Sequence, residues 1–194
     1  MPGINRAEIK DLYESAALNG EDLTSHFQKP CVFISHKSED IQAAEAIADY
    51  FKSHEIDVYL DKNDKNLQKA TQEKNSSEIV HLIQLGLAYS THILVLITDK
   101  TRESWWVPYE VGYAKKANRQ IASLLLKTET YTEEFPDYLK VERTINSSED
   151  FVKYADSVKK KRSRYGDFFD NGQRYTALNE NDLSILNRYI RRVQ

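Results

Sequence analysis

Short apolar runs alternate with amphipathic stretches along most of the chain. Five runs of strand length carry little polar alternation, and such continuous apolar character is typical of parallel strands that are covered on both faces. The five predicted strands are residues 31–35, 56–60, 92–98, 120–126 and 141–145. Apolar residues at helical spacing predict a helix after most of these strands.

Serine residues mark the predicted helix starts. Serine is favourable there because its hydroxyl oxygen accepts a hydrogen bond from a free N–H group of the first turn. The expected caps are Ser38 and either Ser76 or Ser77, and two further helices should begin near Ser104 and at Ser147 or Ser148. Residues 61–75 are nearly all polar and show no clear period. We therefore expect a mobile loop or a short helical turn in that segment.

Strands that alternate with helices predict right-handed βαβ crossovers and an α/β fold. The simplest arrangement is a doubly wound, flavodoxin-like, five-stranded parallel sheet of order 2-1-3-4-5. The apolar pattern also predicts a helix over residues 4–17, and Asn181 is placed to cap a last helix. We expect an N-terminal helical extension over 1–29, the α/β domain over 30–162 and a C-terminal extension over 163–194.

Composition narrows the classes of partner. The chain of 194 residues is 40% hydrophobic and 29% charged, which is ordinary for one globular domain. A net charge of -3 argues against nucleic acid as the main partner. The single cysteine, Cys31, excludes an intramolecular disulfide, and no apolar run is long enough for a signal core or a membrane span. We expect a cytoplasmic protein that engages neither nucleic acid nor membrane.

Several common chemistries lack their sequence motifs. The six glycines form neither a G-x-G-x-x-G dinucleotide fingerprint nor a G-x-x-x-x-G-K phosphate loop. The five histidines show no H-E-x-x-H spacing, the cysteine has no second cysteine to pair with, and G-x-S-x-G is missing. We expect neither a metal nor a bound cofactor.

In a sheet of this order the ligand crevice lies at the carboxyl ends of the first and third strands, where the crossovers leave in opposite directions. Trp106 and Glu110 are four residues apart, so a helix presents their indole and carboxylate on one face. A second interpretation stays open, in which Glu110 is a first-turn acid favoured by the helix dipole and both tryptophans fill the core. The residues that the topology brings to this edge are Ser35, His36, Lys37, Asp61, Asp99, Lys100, Trp106, Tyr109 and Glu110.

Three sequence blocks resemble the Toll/interleukin-1 receptor (TIR) domain family over about residues 30–160. They are Val32-Phe-Ile-Ser-His-Lys-Ser-Glu-Asp40, Val58-Tyr-Leu-Asp61 and Ser104-Trp-Trp-Val-Pro-Tyr-Glu-Val-Gly-Tyr-Ala114, the last of which contains W-x-x-x-E. The resemblance implies a TIR-like domain and, as in many bacterial TIR proteins, cleavage of NAD with Glu110 as the catalytic residue. It also implies an NAD pocket at the crevice, for which the expected residues are Ser35, His36, Lys37, Asp61, Trp106 and Tyr109.

The resemblance further implies an NAD glycohydrolase or ADP-ribosyl cyclase, with NAD as substrate and not as cofactor. Like the free-standing TIR proteins of Thoeris antiphage systems, such a chain assembles with other TIR domains and makes a nucleotide signal for a downstream effector. Cleavage builds oxocarbenium character that Glu110 can stabilise. Trp106 can stack on the cationic pyridinium, and Lys37 can offset the charge of the pyrophosphate.

Two other functions stay open. A non-catalytic TIR scaffold would act through TIR–TIR association alone, and an enzyme similar to nucleoside deoxyribosyltransferases would use the glutamate on nucleosides. A phosphoacceptor receiver domain shares the expected strand order, with Asp99 near the acceptor position. It is set aside because Ser35, His36 and Lys37 stand where a receiver needs carboxylates for Mg²⁺.

Overall fold

A parallel five-stranded sheet of order β2-β1-β3-β4-β5 forms the centre of the molecule. The computed structural model describes residues 2–9, 29–127, 136–160 and 180–190. The strands are β1 Cys31–Ser35, β2 Asp57–Tyr59, β3 His92–Ile97, β4 Gln120–Leu125 and β5 Arg143–Ile145, and every neighbouring pair is parallel. The predicted fold class and strand order are confirmed.

Helices cover both faces of this sheet. The described residues contain seven α-helices: α1 Ile41–Ser53, α2 Lys65–Gln72, α3 Ser76–Ala88, α4 Trp106–Lys116, α5 Asp137–Lys140, α6 Ser148–Lys160 and α7 Glu180–Tyr189. Short 3-10 turns at Ser38–Asp40, Asp61–Asn63 and Asp99–Glu103 follow the first three strands. The short helix α5 was not predicted. No helix in the described part of the chain is long and apolar enough to cross a membrane.

Alternate side chains of each strand point to opposite faces, and each face has its own core. On β1, Val32 and Ile34 belong to the core with α1, α6 and α7, whereas Cys31 and Phe33 belong to the core with α2 to α5. The crossover after β1 therefore lies on one face and the crossover after β3 on the other. The carboxyl ends of these two strands form the predicted switch-point crevice.

Two of the predicted helix caps are wrong. Ser38 lies inside a 3-10 turn that delays the start of α1, and it does not cap that helix. Helix α3 is capped by Asn75, whose side chain accepts a hydrogen bond from the Glu78 N–H, while Ser76 and Ser77 lie within the helix. An Asn side chain caps as well as Ser does, so residue type alone did not distinguish neighbouring polar positions.

The helix starts predicted near Ser104 and at Ser147 or Ser148 are confirmed. The Ser104 hydroxyl accepts a hydrogen bond of 3.2 Å from the backbone N–H three residues on, at the start of α4. The Ser147 hydroxyl accepts a hydrogen bond of 3.1 Å from the Asp150 N–H at the start of α6. Each hydroxyl satisfies a backbone donor that the first helical turn leaves unpaired.

Residues 61–75 contain an ordered helix, so the expected mobile loop or short turn is wrong. Asp64 caps α2 by accepting hydrogen bonds from the Asn66 and Leu67 N–H groups, each at 3.0 Å. Its other carboxylate oxygen accepts from the hydroxyl of Tyr59, the last residue of β2. Leu67 and Ala70 are the buried residues of α2. Two apolar contacts are too few to give a visible helical period.

The N-terminal segment does not begin as the predicted helix. Gly3 to Asn5 is extended, and the Ile4 carbonyl accepts a hydrogen bond of 2.9 Å from the Val58 N–H, which extends the edge of the sheet beside β2. A 3-10 turn follows at Arg6–Glu8. A side chain at Gly3 would place its Cβ 2.1 Å from the Ile56 carbonyl oxygen, so this close approach requires glycine. The rest of the predicted helix, residues 10–17, lies outside the described residues.

A buried ion pair fixes this segment. Arg6 donates from Nε at 3.1 Å and Nη2 at 3.0 Å to Asp57 Oδ2, and both residues are buried. The guanidinium also donates to the carbonyls of Tyr89 at 2.6 Å and Lys29 at 2.8 Å. The second oxygen of Asp57 accepts from the Ile4 N–H at 3.1 Å. One arginine thus joins the N-terminal segment, β2 and the approach to β1.

The last helix packs on the sheet. Leu186 and Ile190 are buried in the same core as α1 and α6, and Ile190 forms an antiparallel bridge with Leu126, just after β4. Helix α7 begins at Glu180, so Asn181 lies within it and does not cap it. The division into 1–29, 30–162 and 163–194 stays a prediction, and residues 161–179 lie outside the described ranges.

Arg6→Met should lower the free energy of unfolding by about 3–5 kcal/mol, because it leaves the Asp57 carboxylate buried and uncompensated. The double variant Arg6→Met/Asp57→Asn should recover much of this loss, since the amide carries no charge and keeps an acceptor for the Ile4 N–H. Urea unfolding of the wild type and the two variants measures both effects. A double variant no more stable than the single one would contradict the argument from charge.

Candidate active site

Glu110 of α4 and Ser35 of β1 meet at the switch point. Ser35 Oγ donates to Glu110 Oε2 at 2.5 Å, and the two residues are 1% and 5% exposed. Their positions in the sequence are 75 residues apart. The contact therefore depends on the sheet topology and not on local sequence.

The direction of both side chains follows from local structure. Ser35 is two residues after Phe33, so strand alternation turns it to the face that α4 covers. On α4, Val107, Val111 and Ala114 are buried against that face. Glu110 is one residue before Val111 and four before Ala114, so it projects into the same protected layer.

The Glu110 carboxyl group is held mainly in its neutral form at neutral pH. Burial raises its pKa from 4.5 to about 8, the hydrogen bond from Ser35 opposes that rise, and the nearby Asp61 carboxylate adds to it. A carboxylate with a single hydroxyl donor is poorly compensated for the loss of water. A cation placed beside Glu110 would favour the ionised form.

Asp61 and His36 approach each other at the same edge. His36 Nδ1 lies 3.9 Å from Asp61 Oδ1 and 3.1 Å from the carbonyl oxygen of Ile34. Partial burial raises the pKa of Asp61, and the charge of a protonated His36 opposes the rise. The structure thus gathers Ser35, His36, Asp61 and Glu110, which the sequence placed at one edge.

A cavity of about 480 Å³ lies between the loop after β1 and helix α2. This volume is typical of small-molecule sites. The residues that line it are His36, Ser38, Ile41, Asp61, Lys62, Leu67, Gln68, Thr71 and Gln72. Four of them belong to α2, which the sequence pattern did not reveal. Capping by Asp64 was the available signal, because an aspartate before a polar stretch is a common helix start.

Four predicted pocket residues do not line this cavity, namely Ser35, Lys37, Trp106 and Tyr109, and neither does Glu110. Lys37 pairs with Glu103 at 2.8 Å and with Glu39 at 3.5 Å. Trp106 packs edge-to-face on Tyr109, with ring centroids 6.0 Å apart. The hydroxyl of Tyr109 accepts a hydrogen bond from Gln84 Nε2 of α3 at 2.7 Å.

The structure contradicts the interpretation in which Glu110 is a first-turn acid and both tryptophans fill the core. Trp105 is 91% exposed and Trp106 is 41% exposed, so neither indole fills the core. Glu110 lies beyond the first turn of α4 and is buried, so it is not a surface acid that complements the helix dipole. A buried acid with a strongly shifted pKa in a crevice is a candidate functional group.

No metal site is evident in residues 2–9, 29–127, 136–160 and 180–190. Within these ranges no three His, Cys, Asp or Glu side chains lie close enough together to hold an ion. The chemistry available to this part of the chain is that of a buried carboxyl group, a hydroxyl, an imidazole and a second carboxylate.

These features define a flavodoxin-like α/β protein with a buried acid at its switch point. The chain matches the family model described as TIR domain over residues 32–163, which is more than half of its length. The chain therefore belongs to the TIR domain family. No curated protein is detectably similar to it.

Glu110→Gln should raise the free energy of unfolding, and the gain should grow with pH. A carboxyl group with a pKa of about 8 when folded and 4.5 when unfolded binds its proton more tightly in the folded state. Its contribution to stability is therefore fully present below about pH 4.5 and is lost as the pH rises through about 8. The glutamine amide does not titrate, so its contribution to the free energy of unfolding stays constant over this range.

Chemical denaturation of wild type and Glu110→Gln near pH 5 and near pH 9 measures this difference. The stability gap should widen between the two conditions by an amount on the order of 4 kcal/mol. A gap of constant size would contradict the assignment of a raised pKa to Glu110.

Proposed function

We propose that this chain cleaves the bond between nicotinamide and ribose in NAD, with Glu110 as the catalytic carboxylate. The observation that carries the proposal is the buried Glu110 carboxyl group, which is hydrogen-bonded to Ser35 and feels the charge of Asp61, a residue that lines a cavity of small-molecule size. Membership of the TIR domain family supports it, because many bacterial TIR proteins cleave NAD at the glutamate of the same W-x-x-x-E motif.

The reaction needs a negative group close to the ribose. The bond from ribose C1′ to the pyridinium nitrogen breaks, its electron pair leaves with nicotinamide, and positive charge develops on the sugar. The Glu110 carboxylate stabilises that charge or accepts a hydrogen bond from a ribose hydroxyl. Attack by water forms the new C1′–O bond, releases one proton and gives ADP-ribose. Attack by another nucleophile gives a cyclic or conjugated product instead.

The raised pKa of Glu110 suits a cationic substrate. Burial keeps the carboxyl group neutral until a positive charge approaches it. The pyridinium ring supplies that charge, so binding favours loss of the proton and creates the carboxylate where cleavage requires it. Ion pairs are stronger away from bulk water, which makes the effect larger here than at the surface.

Trp106 offers a partly exposed aromatic face on the helix that carries Glu110. Its indole is packed on Tyr109 through one edge, and a pyridinium stacked on it would gain about 0.5 to 2 kcal/mol. On the grounds of the family resemblance, the proposed product is a nucleotide signal for a downstream effector in bacterial antiphage defence. The enzyme would act after TIR–TIR assembly.

A non-catalytic scaffold is the second candidate function. The exposed indoles of Trp105 and Trp106 favour it, because the two residues are adjacent and a contiguous exposed apolar patch marks an interaction surface. On this alternative, changes at Trp105 abolish self-association while changes at Glu110 have no effect. Catalysis is preferred because a scaffold has no use for a buried, poorly compensated acid.

Glu110→Gln should lower the rate of nicotinamide release from NAD by about a hundredfold or more, since the amide cannot oppose the charge on the ribose. Chromatography of the released nicotinamide measures the rate, under dilute conditions and under conditions that promote self-association. Glu149→Gln, which changes an exposed acid on α6 on the opposite face, is the matched control and should keep full activity. Full activity in Glu110→Gln would refute the proposal.

The pH dependence should identify Glu110 as the titrating group. The kcat/KM for nicotinamide release should rise with pH and level off above about 8, because the carboxylate is the active form. Ser35→Ala removes a contact that lowers the pKa, so its midpoint should move to higher pH. Asp61→Asn removes a charge that raises the pKa, so its midpoint should move to lower pH. Shifts in the same direction would contradict this assignment.

A further inference from the structure

The cavity offers little unpaired positive charge to a diphosphate. Asp61, Lys62 and the imidazole of His36 are the ionisable groups among the described residues that line it, and the charge of Asp61 reaches Glu110. The Lys62 ammonium group is paired with Glu45 of α1 at 2.5 Å. Both side chains of this pair are about half exposed, so Glu45 lowers the positive potential at the cavity without cancelling it.

The lysines at the rim are engaged in the same way. Lys37 contacts Glu103 at 2.8 Å and Glu39 at 3.5 Å. Lys100, on the turn after β3, lies near the carboxylates of Glu39 and Asp40, and its charge favours their ionised forms. Each lysine at this edge of the described sheet thus has acidic neighbours. A diphosphate would have to compete with them.

Coulomb energies show which end of NAD the cavity favours. Two unit charges 4 Å apart interact by about 1 kcal/mol in water and about 4 kcal/mol near a protein surface. Beside the Asp61 carboxylate, this interaction is attractive for a pyridinium and repulsive for a phosphate, and Glu110 adds to it once a cation has displaced its proton. Polar groups suited to an uncharged ribose and carboxamide are also present, because Gln72 and Thr71 line the cavity.

We infer that the site recognises the cationic nicotinamide–ribose end of its substrate and leaves the diphosphate outside the cavity. The substrate class is then N-ribosyl pyridinium cations in general, including nicotinamide riboside and nicotinamide mononucleotide as well as NAD. This inference rests on the proposed cleavage of the nicotinamide–ribose bond. It assigns Lys37 and Lys62 to ion pairs of the framework and not to the phosphates.

The first test compares kcat/KM for nicotinamide release from nicotinamide riboside, nicotinamide mononucleotide and NAD. The riboside should be cleaved within about tenfold of NAD, because the missing parts of NAD make few favourable contacts. Cleavage of NAD with a riboside value lower by about a thousandfold or more would overturn the inference while leaving the proposed function intact. The same assay thus distinguishes a failure of this inference from a failure of the proposed function.

Release of no nicotinamide from any of the three compounds would refute the proposed function. Calorimetric titration of the wild type with the riboside and with NAD then decides the inference. A riboside affinity within about tenfold of that for NAD supports recognition of the cationic end. Failure of the riboside to bind overturns it.

Two lysine variants test the part played by the phosphates. If Lys37 or Lys62 binds the diphosphate, its replacement by Met lowers kcat/KM for NAD and spares the riboside. On our inference the ratio of the two values stays within about twofold of the wild-type ratio in Lys37→Met and in Lys62→Met. A selective loss on NAD of about tenfold or more in either variant would overturn it. Asp61→Asn is the contrasting variant and should lower kcat/KM for both compounds above about pH 9, where Glu110 is ionised with or without the charge of Asp61.

Discussion

The contact between Ser35 and Glu110 connects the topology of the sheet to its chemistry. A carboxyl group is kept from water here because strand alternation turns Ser35 toward α4 and because the crossovers part between β1 and β3. One hydroxyl offsets part of the desolvation of Glu110, and the rest appears as a raised pKa. The fold therefore holds an acid in its neutral form at the place where a ligand crevice opens. On the proposed function, a cation that enters would convert this acid to the form that stabilises positive charge.

Two of the buried acids, Asp57 and Glu110, are compensated very differently. Asp57, at the amino end of β2, accepts hydrogen bonds from the Arg6 guanidinium and from a backbone N–H. Its charge is compensated, and the pair holds the edge of the sheet together. Glu110 of α4, beyond the carboxyl end of β1, has a single neutral partner in the described structure. A poorly compensated acid destabilises the fold and is a candidate functional group, so the stabilising acid and the candidate functional acid lie at opposite ends of the sheet.

The strands were predictable because buried parallel strands are apolar on both faces. The alternation of strands with helices indicated their order. That order in turn places the ligand crevice at the carboxyl ends of the first and third strands. The edge that carries Ser35 and Glu110 followed from the same argument. Their direct contact could have been found too, since Ser35 lies two residues after the buried Phe33. The role of Arg6 could not, because it depends on a partner 51 residues away and a single charged residue in a periodic stretch does not reveal its burial. The N-terminal segment was predicted to be a helix because its apolar residues have helical spacing, and that spacing does not show that residues 3–5 pair with the edge of the sheet.

Helix α2 was not predicted from the sequence because it has few apolar residues, and this polarity is related to the cavity that it borders. A helix at the surface usually shows one apolar and one polar face, and only its apolar face gives a signal. On α2 the buried residues are Leu67 and Ala70, and Leu67 lines the cavity together with Gln68, Thr71 and Gln72. On the proposed function, the side chains that face the ligand stay polar, which leaves few apolar positions to indicate the helix. The segment that the sequence pattern did not predict is thus one that borders the cavity.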